Sequence, residues 1–204
     1  MCNGFSAIGF SSDMAGFNPG KVSKNLGLPR FRPRAVVRLI AYESGAQVAG
    51  PRAPVRDATE AEVRDMYHAL TEGCIASRGG APAMRSVRPP RWIIAEDGSA
   101  CGCIEDYHRA RRWRTGETTE LIQSHVSFFG WRDAESAARF VRTCIDITGQ
   151  MGVPRVRICL DNRLADEVIG AIGIATQSEF RWTVYGAWLG SLPDAPWSLH
   201  PTEF

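Results

Sequence analysis

The turn Gly130-Trp131-Arg132-Asp133 joins a strand-like run, SHVSFFGW, to a helical one, RDAESAARFVRTCIDITGQMG. It aims a helix N-terminus at whatever lies beyond the strand. Free backbone N–H groups and the positive end of the helix dipole make such a terminus an anion cradle. Five residues earlier, His125 stands among apolar residues on the strand. An imidazole there serves either as a proton acceptor near neutral pH or as a satisfied, half-buried structural group. The run His108 to Arg114 (HRARRWR) carries four arginines and Trp113. Guanidinium forks suit an anionic substrate or a phosphate; a solvated charged loop is the plainer reading. Tyr67 and Tyr185 read first as core residues, with Tyr185 an acid if it faces a cleft.

The cysteines offer less. They lie at 2, 74, 101, 103, 144 and 159, without the spacing of a zinc site. Cys101-x-Cys103 places both sulfurs on one strand face, which suits packing, and reduced thiols suit a cytoplasmic protein. Cys2 could act as an N-terminal nucleophile, but such enzymes continue as a long all-β chain, which this pattern lacks.

Chemical groups need elements to position them. Arg34 to Ser44 reads as a strand, and Gly45 to Pro54 as a link. Thr59-Glu60-Ala61-Glu62 fits a capping box. Behind it Val63, Met66, Tyr67, Leu70 and Cys74 recur at helical spacing, predicting a helix from Glu60 to about Ser77. Arg78 to Pro90 is a basic Gly/Pro loop. Trp92 to Ala95 and Ala100 to Tyr107 read as strands joined at Asp97-Gly98, a hairpin signal. Glu117 to Phe129 reads as the next strand. Asp133 then caps a helix to about Gly149, with Ala137, Phe140, Val141, Cys144, Ile145 and Thr148 on one face. Val156, Ile158 and Leu160 alternate in a strand. Asn162 caps a short helix with core face Ala165, Val168, Ile169 and Ile172, which stops at Gly173. Glu179 to Leu189 alternates as a last strand. The chain thus divides into an N-terminal extension (1–50), a domain (51–189) and a Pro-rich, irregular tail (190–204).

A chain of 204 residues, 44% hydrophobic and 23% charged, suits one globular domain with extensions. A net charge of +2 argues against nucleic acid and against an anionic membrane as partners. No apolar run approaches the roughly 20 residues of a membrane span.

Strand, helix, strand hairpin, long strand, helix, strand, helix, strand resembles the GNAT fold of the Gcn5-related N-acyltransferases, from about Pro54 to Leu189. PVRDATEAEVRDMYHAL looks like that family's opening strand and first helix, and RWIIAEDGSACGCIEDY like its second and third strands. Arg132-Asp133-Ala134-Glu135-Ser136-Ala137 takes the place of a pyrophosphate-binding turn of pattern Q/R-x-x-G-x-G/A, with Phe140-Val141 as the following apolar pair. Asn162, Ala165, Ile169, Gly173 and Ile174 match the offsets of a second motif, N-x-x-A followed by Tyr and Gly-Phe. Glu135 replaces the first glycine of the turn, and Ile169 replaces the tyrosine that commonly protonates the departing thiolate.

The resemblance implies a mixed α/β fold with a central twisted sheet of about seven strands flanked by helices. It also implies acetyl-CoA or another acyl-CoA as co-substrate, held by Phe128, Phe129, Gly130, Trp131, Arg132, Ala134, Glu135, Ser136, Ala137 and Asn162. The Phe128 backbone amide would serve the thioester carbonyl. Glu120 is the first candidate for the general base and His125 the second, with Tyr185 as a stand-in acid. The expected function is transfer of an acyl group to an unidentified amine of a small molecule or protein. The alternative is a catalytically inactive scaffold of the same fold, for which Glu135 and Ile169 speak. A homodimer or a protein partner is compatible with either.

Overall fold

The computed structural model describes residues 6–11, 24–25, 32–45, 48–77, 82, 86–106, 113–115, 119–121, 123–187 and 194–200. In chain order these form β1 (Ser6–Ser11), β2 (Arg32–Glu43), β3 (Val55–Asp57), α1 (Glu60–Leu70), β4 (Ile75–Ala76), β5 (Arg91–Ala95) and β6 (Ala100–Asp106). There follow β7 (Trp113–Thr115), β8 (Thr119–Leu121), β9 (Ser124–Trp131), α2 (Ala134–Gln150), β10 (Arg155–Asp161), α3 (Asn162–Ile172), β11 (Ser178–Ala187) and β12 (Trp197–Ser198).

An eight-stranded sheet runs in the order β1-β11-β2-β10-β9-β6-β5-β3. Every neighbouring pair is antiparallel except β9 and β10, which are parallel because α2 carries the chain across between them. From β3 to β11 the order of elements is the one the resemblance implied: a mixed α/β fold, GNAT-like, with a central sheet flanked by helices. β2, which precedes residue 51, stands between β10 and β11 with Val37, Ile40 and Tyr42 fully buried.

Alternation along the strands sends side chains to two faces. One face packs under α2 and α3: Ile40, Ile104, Val126, Phe129, Phe140, Ile158, Leu160 and Val168 form a single apolar cluster. Each such large side chain contributes about 1.5–3 kcal/mol when fully buried. The other face meets α1 and the C-terminal segment in two smaller clusters. Val63, Tyr67, Cys101, Cys103 and Phe128 make one, and Val37, Leu39, Cys159, Val184 and Trp197 the other.

Local chemistry explains the boundaries. Thr59 and Glu62 form the expected reciprocal capping box at the start of α1. The helix ends at Leu70 rather than near Ser77. The Thr71 hydroxyl donates to the Tyr67 carbonyl at 2.6 Å, the chain turns through Gly73 at φ 84°, and Ile75–Ala76 leaves as a strand. The strand expected from Glu117 to Phe129 is broken between β8 and β9, and β8 pairs with β7 as a separate ribbon. Asp161, not Asn162, caps α3, its carboxylate accepting from the Arg163 backbone N–H at 2.8 Å. Gly173 ends that helix in the left-handed conformation, φ 64°. The tail expected to be irregular contains β12, which pairs in parallel with β4.

Candidate functional site

The site forms where β9 parts from its neighbour. β9 and β10 pair only at Ser124/Val156 and His125/Arg157, while β10 continues along β2 as far as Asp161. From Val126 onward β9 stays with β6 and diverges from β10, which opens a wedge in the sheet. A bulge marks the divergence. Phe128 sits at φ 51°, and the register against β6 shifts between Cys101 and Cys103, so two residues of β9 oppose Gly102. The bulge changes the alternation: Val126 and Phe129 face α2, whereas Phe128 turns its ring toward α1.

A phenylalanine in the left-handed region costs about 1–2 kcal/mol, so its surroundings must hold it there. They do so through the ring. Tyr67 meets it edge-on at 5.6 Å, Trp92 lies at 5.4 Å, His200 at 4.1 Å, and the Arg64 guanidinium at 4.3 Å from its centre. The Phe128 carbonyl accepts from the Cys101 thiol at 3.6 Å. Burial pushes that thiol up to about 12, so Cys101 stays protonated as a weak donor rather than a nucleophile.

Beyond β9 lies the N-terminus of α2, and it carries its own anion. The Asp133 carboxylate accepts from the Ser136 backbone N–H at 2.8 Å, and the Ser136 hydroxyl accepts from the Asp133 N–H at 3.1 Å. These bonds hold the Asp133 carboxyl below its usual range. The Arg132 N–H is committed to the Ser99 carbonyl at 2.9 Å. Glu135 is exposed on the first turn of the helix.

A cavity of about 310 Å³ opens here. Trp131, Arg132, Asp133 and Ala134 form one wall, and Leu164, Glu167 and Val168 of α3 a second. Leu70 at the end of α1, with Thr71 and Cys74 after it, forms a third, and Trp197 and Ser198 close the remaining side. Glu135 does not line it.

The named candidates therefore separate. Trp131, Arg132 and Ala134 line the cavity, while Phe128 and Gly130 lie on the diverging part of β9; a Cβ added at Gly130 would meet Leu70 at 3.1 Å. Phe129, stacked on Phe140 at 5.8 Å, and fully buried Ala137 belong to the apolar core. Ser136 belongs to the cap. Asn162 Oδ1 accepts from Arg38 Nε at 2.7 Å, and the residue borders a different cavity with Pro33, Arg34 and Asp194. Tyr185 lies on β11, beyond β2 from β10, and is not brought to the wedge. Glu120 is on β8, in register with Arg114; its side chain and most of the HRARRWR run lie outside the described residues.

His125 is buried and does not stand alone. In register across three strands, Glu105, His125 and Arg157 form a row, at 0%, 2% and 6% exposure. Directly opposed residues share a face, with Cβ atoms about 5 Å apart. Burial, with Arg155 nearby, lowers the Arg157 guanidinium to about 10. Sequence reasoning missed Glu105, although strict alternation from Cys101 and Cys103 puts it on their face. It also missed the tail: Trp197, Ser198 and His200 are all buried. Among the described residues, no cluster of His, Cys, Asp and Glu is placed to hold a metal ion, and no helix is long and apolar enough to cross a membrane.

No family model matches the chain, and no curated protein matches it. Among solved structures it is similar to a GCN5-related N-acetyltransferase from Sphaerobacter thermophilus, at 12% identity and a TM-score of 0.49. That match covers 94% of this chain and 62% of the other, so the chain spans less than two thirds of that protein's length. A putative GNAT acetyltransferase from Novosphingobium aromaticivorans is similar at 15% identity and a TM-score of 0.48, over 90% of this chain and 74% of that one. Saccharomyces cerevisiae N-myristoyltransferase with bound myristoyl-CoA is similar at 6% and 0.46, over 80% and 54%. The GNAT-like fold itself is defined by element order and sheet pairing.

Proposed function

We propose that this protein is a GNAT-like acyltransferase that moves an acetyl or other acyl group from acyl-CoA to an amine. The observation that carries the reading is the parting of β9 from β10 at the Phe128 bulge, immediately before the N-terminus of α2. A diverging parallel pair leaves backbone groups that a linear, amide-bearing arm can satisfy. The cavity walled by Trp131 to Ala134 suits the polar end of such a co-substrate, with Arg132 the cation for its phosphates. Asp133 already occupies the Ser136 amide, so phosphate must displace it or use the remaining N–H groups of the first turn.

In the transfer, the acceptor nitrogen attacks the thioester carbon, the C–S bond breaks, and the thiolate leaves with coenzyme A. The nitrogen's proton goes to His125, and Glu105 beside it stabilises the imidazolium. The Phe128 backbone N–H is the donor for the carbonyl oxygen as it gains charge. Ile169, packed against the core, donates nothing, so the thiolate takes its proton from water. A soluble cytoplasmic enzyme acting on a small molecule or a protein fits this reading.

Calorimetric titration with acetyl-CoA tests it. A saturable heat is expected, with Arg132→Glu weakening affinity by roughly tenfold through charge reversal beside a phosphate. Absence of any heat at millimolar ligand, in both the intact chain and a His200→Ala variant, overturns it.

A second reading, an inactive scaffold of the same fold, draws on the self-capped helix. Asp133 gives α2 an anion of its own and leaves the terminus stable without a ligand. Binding of acetyl-CoA without turnover of any amine would favour that reading.

A further inference from the structure

The segment from Asp194 to His200 crosses the wedge. At one side Trp197 packs with Val37, Leu39 and Cys159, and its backbone N–H donates to Asp161 Oδ2 at 2.8 Å. At the other side the His200 ring lies 4.1 Å from that of Phe128 and 5.7 Å from that of Tyr67, and is fully buried. Phe128 belongs to β9, and Asp161 to β10. The segment therefore bridges the two strands at the point where they no longer pair.

Its backbone is held in the manner of a bound strand. The Ile75 N–H donates to the Pro196 carbonyl and the Ser77 N–H to the Ser198 carbonyl, each at 2.8 Å. The Tyr67 hydroxyl lies 3.1 Å from the Ser198 carbonyl and 2.9 Å from the Ser198 hydroxyl. Trp197 and Ser198 also close one side of the cavity at the N-terminus of α2. An extended segment supplying carbonyls, a hydroxyl and one aromatic anchor thus fills the space between the cavity and the Phe128 bulge.

Resting on the acyl-CoA reading above, we propose that residues 194–200 are an internal competitor for the acyl-CoA arm. The tail occupies the wedge in the resting protein, and the co-substrate binds by displacing it. The hold is divided between two ends, and this division suits a reversible strap. Trp197 stays anchored on the β10 side while the Ser198–His200 end swings away from Phe128 and Tyr67.

Two measurements test the inference. In the intact chain, saturating acetyl-CoA should speed hydrogen exchange at the Ser77 amide, because its acceptor, the Ser198 carbonyl, leaves with the swinging end. Exchange that is unchanged or slowed while the ligand binds overturns the proposal. In the full-length His200→Ala variant, acetyl-CoA affinity should rise about tenfold, since part of the competitor's hold is gone. Equal or weaker affinity in a variant that melts cooperatively also overturns it. If neither protein binds acetyl-CoA, the acyl-CoA reading falls, and this inference falls with it. If both bind equally and the Ser77 amide stays protected, only the tail inference fails.

Discussion

The two faces of the sheet are built to different specifications. Under α2 and α3, β6, β9, β10 and β2 present Ile104, Val126, Ile158, Leu160 and Ile40, with Phe129 stacked on Phe140. The opposite face of the same strands carries the Glu105–His125–Arg157 row, Ser127, three thiols and a phenylalanine at positive φ. Burying ionisable groups is costly. On the helix side Arg38 and Arg142 are buried, but each is bonded to α3. The row instead sets a carboxylate, an imidazole and a guanidinium side by side, where chemistry can use them. The apolar face accounts for folding. The polar face, with its bulge and wedge, carries the proposed site.

The largest expected effect tests that division directly. Phe140 is fully buried against Phe129 and the sheet, so Phe140→Ala should lower unfolding free energy by about 3–5 kcal/mol in urea titrations. His125→Ala on the other face should cost clearly less stability. It should also reduce acyl-transfer turnover by about a hundredfold, the scale of a lost general base. A His125 variant as unstable as the Phe140 variant, with full turnover per folded molecule, would make the row a structural network and erase the contrast.

The next effect sits where the faces meet. A Cβ at Gly102 would stand 3.0 Å from Val126 Cγ1 and 3.1 Å from Phe140 Cε1, while the β9 bulge lies opposite. Gly102→Ala should therefore cost about 1–3 kcal/mol by overpacking. If it instead flattens the bulge, acetyl-CoA affinity falls as well. Stability loss with unchanged affinity would show that the bulge is independent of the core beneath it.

The apolar face is the more legible of the two. Helical spacing behind Asp133 and alternation at Val156, Ile158 and Leu160 locate α2 and β10, because periodicity records which side a side chain buries. The polar face depends on contacts distant in sequence. Nothing in Phe128 announces φ 51°; a glycine there would, whereas a phenylalanine is held by Tyr67, Trp92 and His200 from other elements. The Pro-rich tail carries no strand signal, since β12 is only two residues long and needs β4 to exist. The same pairing ends α1 early. Adjacent Asp161 and Asn162 are both good caps, and the tail decides between them, because Asp161 also holds the Trp197 N–H. Glu135 is the carboxylate that the pattern of the turn singles out, but Asp133 is the one that fills the helix terminus.

Asp133 provides the smallest effect and joins the two faces, since it caps the core helix and walls the cavity. Asp133→Ala should lose about 1 kcal/mol of stability at neutral pH, the ordinary worth of an N-cap. Asp133→Asn should lose less, because an amide oxygen still accepts from the Ser136 N–H. The variants differ in acid. Ser136 holds the Asp133 carboxyl below its unfolded value, so its contribution is present above the ordinary carboxylate range and is lost as pH falls through the lowered value. The wild-type stability curve should therefore drop more steeply in that window than the curve of the Asp133→Asn variant. Ligand binding should move the opposite way. With the carboxylate removed the Ser136 amide is released, so inorganic pyrophosphate and acetyl-CoA should both bind more tightly to Asp133→Ala than to the wild type. Tighter binding paired with lower stability at one residue would show that the helix terminus is shared between folding and ligand. A variant that loses both would assign the cap to folding alone.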